Sequence, residues 1–140
     1  MTSTVPPDYR PTEKEPFMNE VMLEYFRQKL VSWKNGLLRD ADQTLQNLQE
    51  QESKSADQSD RATAESDRSI ELRTRDRARK LVQKIDEALQ RVETGSFGYC
   101  SETGDPIGIK RLEARPIATL GIEAQERHER REKTQRDQLA

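Results

Sequence analysis

Few side chains in this chain of 140 residues have types and spacing suited to chemistry. The first set is a pair of carboxylates, Asp57 and Asp60, in the polar stretch Lys54-Ser55-Ala56-Asp57-Gln58-Ser59-Asp60. Carboxylates are hard oxygen donors that bind Mg2+ or accept hydrogen bonds from basic and backbone groups. Alternatively, Ser59 or Asp60 only caps the helix that follows. The lone cysteine, Cys100, has no neighbouring His and no second Cys to resolve an oxidised sulfur, so it reads as a small residue of a buried turn. His128 lies in a run of Glu and Arg and reads as a solvated surface group. Arg77, Arg79, Lys80 and Lys84 read by themselves as an ordinary solvated face. No P-loop, dinucleotide fingerprint or Ser/His/Asp triad is present.

Two apolar seams must position the acid pair. Leu23, Phe26, Leu30, Trp33 and Leu37 precede it, and Ala78, Leu81, Ile85, Ala88 and Val92 follow it. Both run with 3,4,3,4 spacing, the a/d stripe of a helix that packs on a partner helix. Pairing the seams antiparallel sets Leu23 opposite Val92 and Leu37 opposite Ala78. The chain then turns near Asp57-Gln58-Ser59-Asp60, roughly 50 Å from Leu23 at 1.5 Å per residue. The first helix is expected over about 19–53 with Asn19 as N-cap, and the second ends at Thr94-Gly95, where Gly suits a left-handed C-terminal position. Between Leu45 and Leu72 large apolar residues are sparse, so the distal half of the hairpin is expected to be wetter than its base.

Residues 1–16 hold Pro6, Pro7, Pro11 and Pro16 among charges and read as a flexible lead-in. After the hairpin, residues 95–140 form a compact, glycine-rich segment and a charged C-terminal helix from about Thr119 to Asp137. The expected fold class is mainly α: a long antiparallel coiled-coil hairpin over 17–94 with its tip at 54–60, a small compact domain and a final helix. Phe97, Tyr99, Ile107, Ile109, Leu112, Leu120 and Ile122 are its core candidates, with Trp33 adjacent at the hairpin base.

The chain is 36% charged and 31% hydrophobic, too polar for a large core but ordinary for an extended coiled coil. With 24 basic and 26 acidic residues its net charge is −2, so no bulk positive field holds DNA and a protein partner is expected. It has no apolar run long enough to span a membrane and no secretory leader pattern, which points to the cytoplasm. One cysteine excludes an internal disulfide. Because the two seams satisfy each other, a monomer is expected rather than a dimerising coiled coil.

Phe97-Gly98-Tyr99-Cys100-Ser101-Glu102-Thr103-Gly104, with Ile107-Gly108-Ile109-Lys110-Arg111-Leu112-Glu113-Ala114-Arg115-Pro116, resembles the globular domain of the DksA/TraR family of bacterial RNA polymerase factors. Asp57-x-x-Asp60-Arg61-Ala62 resembles that family's acidic tip motif, and Glu71-Leu72-Arg73-x-Arg75-Asp76-Arg77 also matches. The likeness covers Met18 to about Lys133. It implies a non-enzymatic regulator that inserts its hairpin into the secondary channel of RNA polymerase, with Asp57, Asp60 and Ala62 as tip effectors acting on initiation, for example at ribosomal RNA promoters in the stringent response. It implies a ppGpp site shared with polymerase, with Lys84, Arg115 and the nearby Arg111 as basic contacts and Arg77 grouped with them. Another basic family position reads Gln125 here. Zinc-bearing members hold four cysteines at positions that read Cys100, Thr103, Gly121 and Ala124 here. A Gly and an Ala offer no side-chain ligand, so no structural zinc is expected. A transcript-cleavage cofactor of Gre type and a purely structural coiled coil are the alternative readings.

Overall fold

The computed structural model describes residues 4–54 and 58–139, with side chains for 4–50, 63 and 65–138. Among the described residues four helices follow one another: α1 over Glu20–Lys54, α2 over Gln58–Thr94, α3 over Ile109–Ala114 and α4 over Ile122–Leu139. No strand is present among the described residues; Tyr99 and Pro106 form an isolated antiparallel bridge. The chain divides into two compact units, one made of the segment up to Lys29 and that from Ala88 onward, the other of Leu30–Glu87.

The entry to α1 follows from its cap. Asn19 Oδ1 accepts a hydrogen bond from the Met22 N–H at 3.0 Å, three residues into the helix, satisfying a donor that lacks an intrahelical acceptor. The Asn19 amide donates in turn to Glu15 Oε1 and the Pro16 carbonyl, both at 2.9 Å. Residues 4–16 form no regular element, yet they are tied down. Tyr9 Oη donates to Glu15, Thr12 Oγ1 donates to the other Glu15 oxygen, and the Tyr9 ring meets Tyr25 edge-on at 5.7 Å. Burial, then donation to Glu15, pushes the Tyr9 hydroxyl up to about 12.

Two long helices pair as an antiparallel hairpin in the Leu30–Glu87 unit. Lys34 Nζ lies 2.6 Å from Asp86 Oδ1, while Leu37 to Asp42 share a groove with Leu72 to Val82, so α1 numbering rises as α2 numbering falls. Leu30 and Ile85 are fully buried, and Trp33, Leu37, Ala78 and Leu81 are half-buried. Farther along, Leu45, Ile70 and Leu72 are exposed, as the sparse apolar sequence there predicts, although Leu48 is buried. The helix start differs from expectation: α2 opens at Gln58, so Ser59 and Asp60 lie inside its first turn rather than ahead of it as caps.

The other unit has a core of Met18, Met22, Phe26, Ala88, Phe97 and Leu112, joined by Ile107, Ile109, Ile117, Ala118 and Ala124. Phe26 and Phe97 bring their rings to 5.6 Å. The end of α2 is a left-handed stop at Gly95, φ 82°, after which the Ser96 and Phe97 N–H groups both donate to the Arg91 carbonyl. Two sequence-based core assignments fail. Tyr99 is 36% and Ile122 58% exposed, because Tyr99 is placed against Phe17 at the surface and Ile122 starts α4 on its outer side. The missing apolar area comes from Met18, Met22, Ile117 and Ala118. Helix α3 is not foreseen by the sequence pattern, and α4 starts at Ile122 rather than near Thr119.

Candidate functional site

Asp57 lies outside the described residues. Asp60 and Ala62 fall in the first two turns of α2, a placement that follows from the helix bounds alone. Of the acid pair, Asp60 alone lies within a described element, near the start of α2.

Lys84 and Arg77 share a row on α2. Arg73, Arg77, Lys80 and Lys84 follow a 4,3,4 spacing, which at 3.6 residues per turn confines them to an arc of roughly 60° over about 16 Å. All four are exposed. Among the described residues none of them enters an ion pair. Such a row suits an anion with several charges, since each cation adds attraction without a competing carboxylate. Arg73 and Lys80 extend the two positions singled out from sequence, and their spacing was the signal. Arg75 and Arg79 lie on the other flank of α2, on the edge of the groove with α1.

Arg111 and Arg115 belong to the other unit, on and just after α3. Arg111 Nε donates to the Leu120 carbonyl at 3.0 Å, so part of its guanidinium holds the loop into α4. Arg115 is exposed and its backbone N–H caps α3 by donating to the Arg111 carbonyl at 2.7 Å. Helix α3 is fixed to α1 by Glu113, whose carboxylate accepts from Lys29 and Tyr25. Gln125 is half-buried near the start of α4 and donates to Glu129.

Cys100, Thr103, Gly121 and Ala124 line one cavity of about 250 Å³. The chain turns tightly there: the Cys100 N–H donates to the Asp105 carbonyl, the Gly104 N–H to the Cys100 carbonyl, and the Ser101 N–H to the Thr119 carbonyl. Hydrogen bonds from the Thr103 hydroxyl, then from the backbone of Gly121, Thr103 and Glu102, hold the Cys100 thiol down to about 7 from its ordinary value near 9. Thiolate stabilisation here comes from hydroxyl and backbone donors. Ala124 contributes a methyl, and no group of three or more His, Cys, Asp or Glu suited to a metal occurs among the described residues. One sulfur and one hydroxyl do not make a tetrahedral zinc site. His128 is partly exposed, as expected of a surface group, and its Nε2 hydrogen-bonds with Glu102 Oε1.

Comparison with known proteins covers both parts of the chain. Residues 22–92 match the family described as "DnaK suppressor protein DksA, N-terminal domain", and residues 95–130 the family described as "Prokaryotic dksA/traR C4-type zinc finger". A Caulobacter vibrioides protein named "RNA polymerase-binding transcription factor DksA" is 62% identical over 130 residues, 93% of this chain and 92% of its own. The Escherichia coli K12 protein of the same name is 45% identical over 125 residues, 89% of this chain and 83% of its own. Among solved structures, transcription factor DksA2 from Pseudomonas aeruginosa superposes with a TM-score of 0.78 at 42% identity, covering 84% of this chain and 90% of that one.

Proposed function

The chain belongs to the DksA family, and on that premise we propose that it is a transcription regulator that binds bacterial RNA polymerase through the secondary channel and modulates initiation. The observation that supports this reading is that two models of the same family match most of both long helices, residues 22–92, and the compact segment, residues 95–130, in a chain whose long helices pair antiparallel. Asp57, Asp60 and Ala62 are the proposed tip effectors. Inside the channel a carboxylate pair has two physical uses, accepting from basic or backbone groups and approaching Mg2+. Neither requires covalent chemistry by this chain, which acts as a non-enzymatic, monomeric, cytoplasmic factor without sequence-specific DNA binding of its own.

The effector is ppGpp, held together with polymerase by Lys84, Arg115 and Arg111, with Arg77 on the same row as Lys84. The fork of Arg and the point charge of Lys suit diphosphate groups. Gln125 stands at a position that is basic in the family, so the ppGpp response is altered.

The compact segment keeps its fold without zinc. Its support is the apolar core around Phe97, Ile109 and Leu112 and the hydrogen-bonded turn at Cys100. Native mass spectrometry of purified protein is expected to give the metal-free mass, and a chelator to leave thermal unfolding unchanged; one zinc per chain sinks this part.

The deciding experiment is transcription in vitro from a ribosomal RNA promoter, with and without ppGpp, comparing the protein with Asp60→Asn. The variant is expected to keep polymerase binding and lose the effect on open-complex lifetime. An unchanged effect removes the tip mechanism. Stimulated cleavage of backtracked transcripts, lost in the same variant, identifies a Gre-type cleavage cofactor instead, in which the tip acids complete the polymerase metal site.

A further inference from the structure

Residues 9–18 belong to no helix, yet their side chains reach both α1 and the turn over residues 98–107. One end of the segment is gathered on Glu15. Its carboxylate accepts from the Tyr9 hydroxyl, from Thr12 Oγ1 at 3.2 Å and from the Asn19 amide at 2.9 Å. Donation from Tyr9, then from Asn19, holds the Glu15 carboxyl below the usual carboxylate range, so at neutral pH it is a charged acceptor for all three. Two of these donors belong to α1 contacts as well: Tyr9 sets its ring edge-on to Tyr25, and Asn19 caps the helix. The other end of the segment meets the turn. Phe17 lies edge-on to Tyr99 with ring centroids 5.4 Å apart, and Met18 Cε lies 2.9 Å from where a Cβ on Gly98 would stand.

We infer that residues 9–18 are a strap, latched by Glu15, that clamps the turn over residues 98–107 through Phe17 and Met18 and keeps Cys100 covered. The turn needs such a clamp. Its pairing is a single isolated bridge, Tyr99 with Pro106, closed by the Ile107 N–H donating to the Gly98 carbonyl at 2.8 Å and the Cys100 N–H to the Asp105 carbonyl at 2.7 Å. A two-stranded pairing of that length does not hold itself in water. Met18 fills the space beside Gly98, the residue whose carbonyl closes the pairing, and so blocks the movement that would open it. Backbone geometry makes the clamp dependent on its latch. Met18 has φ 53°, in the left-handed region that a side chain occupies only where its surroundings over-determine it, and the side chain is only 9% exposed. Glu15 stands three residues before Met18, so freeing its carboxylate lets the strained residue relax and withdraw from Gly98. The thiol of Cys100, 4% exposed in the closed chain, is then uncovered.

The test is amide hydrogen exchange on the full-length protein, with iodoacetamide alkylation of Cys100 at one fixed pH as the second readout. Glu15→Ala is expected to speed exchange of the Cys100 and Ile107 amides, and alkylation of Cys100, by roughly tenfold, while the Leu81 and Ile85 amides of α2 keep the parent rates. Glu15→Gln keeps an acceptor for Tyr9 and falls in between. Phe17→Ala leaves the latch intact and removes part of the clamp, so it is expected to loosen the same two amides. Both substitutions act on one opening, and the double variant is expected to exchange well short of the product of the two accelerations. Unchanged exchange at Cys100 and Ile107 in Glu15→Ala overturns the proposal. An acceleration spread equally over α2 overturns it too, since that marks general destabilisation, as does a double variant in which the two effects multiply.

Discussion

Lys29 grips Glu113 twice: its Nζ donates to Glu113 Oε2 at 2.6 Å and to the Glu113 carbonyl at 2.8 Å. Tyr25 Oη donates to the same carboxylate oxygen at 3.1 Å. A six-residue helix is too short to hold itself, so α3 depends on such ties and on the buried Ile109 and Leu112.

Replacing Glu113 by Ala is expected to cost about 1 kcal/mol, since the pair is partly exposed but charge-assisted and leaves Tyr25 without its acceptor. Glu113→Gln keeps an acceptor for Tyr25 and falls in between. Thermal unfolding reads both; an Ala variant as stable as the parent refutes the role of the tie.

Gly98 sits at φ 90°, and a Cβ there would meet Met18 Cε at 2.9 Å and Met18 Cγ at 3.2 Å. Gly98→Ala therefore meets backbone strain and a buried neighbour together, and a loss of roughly 1–3 kcal/mol is expected. Part of that loss is shared with Met18. A double-mutant cycle with Met18→Ala is expected to show coupling beyond about 0.5 kcal/mol, and strict additivity would contradict the contact.

Gly36 offers the opposite case. It lies inside α1 with nothing within 4 Å of where a Cβ would be built. Gly36→Ala is expected to stabilise the helix by roughly 0.5–1 kcal/mol, read as a raised denaturation midpoint at unchanged slope. A lowered midpoint would mean that the site is not open.

Cys100 gives a pH signature. In the folded chain it loses its proton near 7, and unfolded near 9, so between these values the unfolded chain binds more protons. Stability from this group is therefore fully present above about pH 9, falls as pH drops through the window and is absent below about 7. Alkylation by iodoacetamide is expected to follow a midpoint near 7, raised in Thr103→Val because the Thr103 hydroxyl is the foremost donor to the sulfur. A wild-type midpoint near 9 would refute the assignment.

The hairpin was legible because two long helices with unbroken 3,4 seams leave one antiparallel register, and local rules fix the Asn19 cap and the Gly95 stop. Leu30 and Ile85 are buried where their seams put them. The row through Arg73, Arg77, Lys80 and Lys84 was equally available from spacing, since position on a helix fixes the direction a side chain leaves it.

The compact segment was legible only as a likeness. Its residues lack a period, so apolar character alone put Tyr99 and Ile122 in the core, while Met18, Met22, Ile117 and Ala118 supply it. The tie of Lys29 to Glu113 joins residues 84 apart in sequence, and that of Glu102 to His128 joins residues 26 apart. By itself the sequence determined the two long helices, their antiparallel pairing and that Gly121 and Ala124 bring no side-chain ligand. Tertiary structure alone decided which loop residues are buried, which charges are paired and that backbone N–H groups surround the Cys100 sulfur. Periodic elements encode their own faces, whereas contacts between irregular segments exist only once the chain has brought distant residues together.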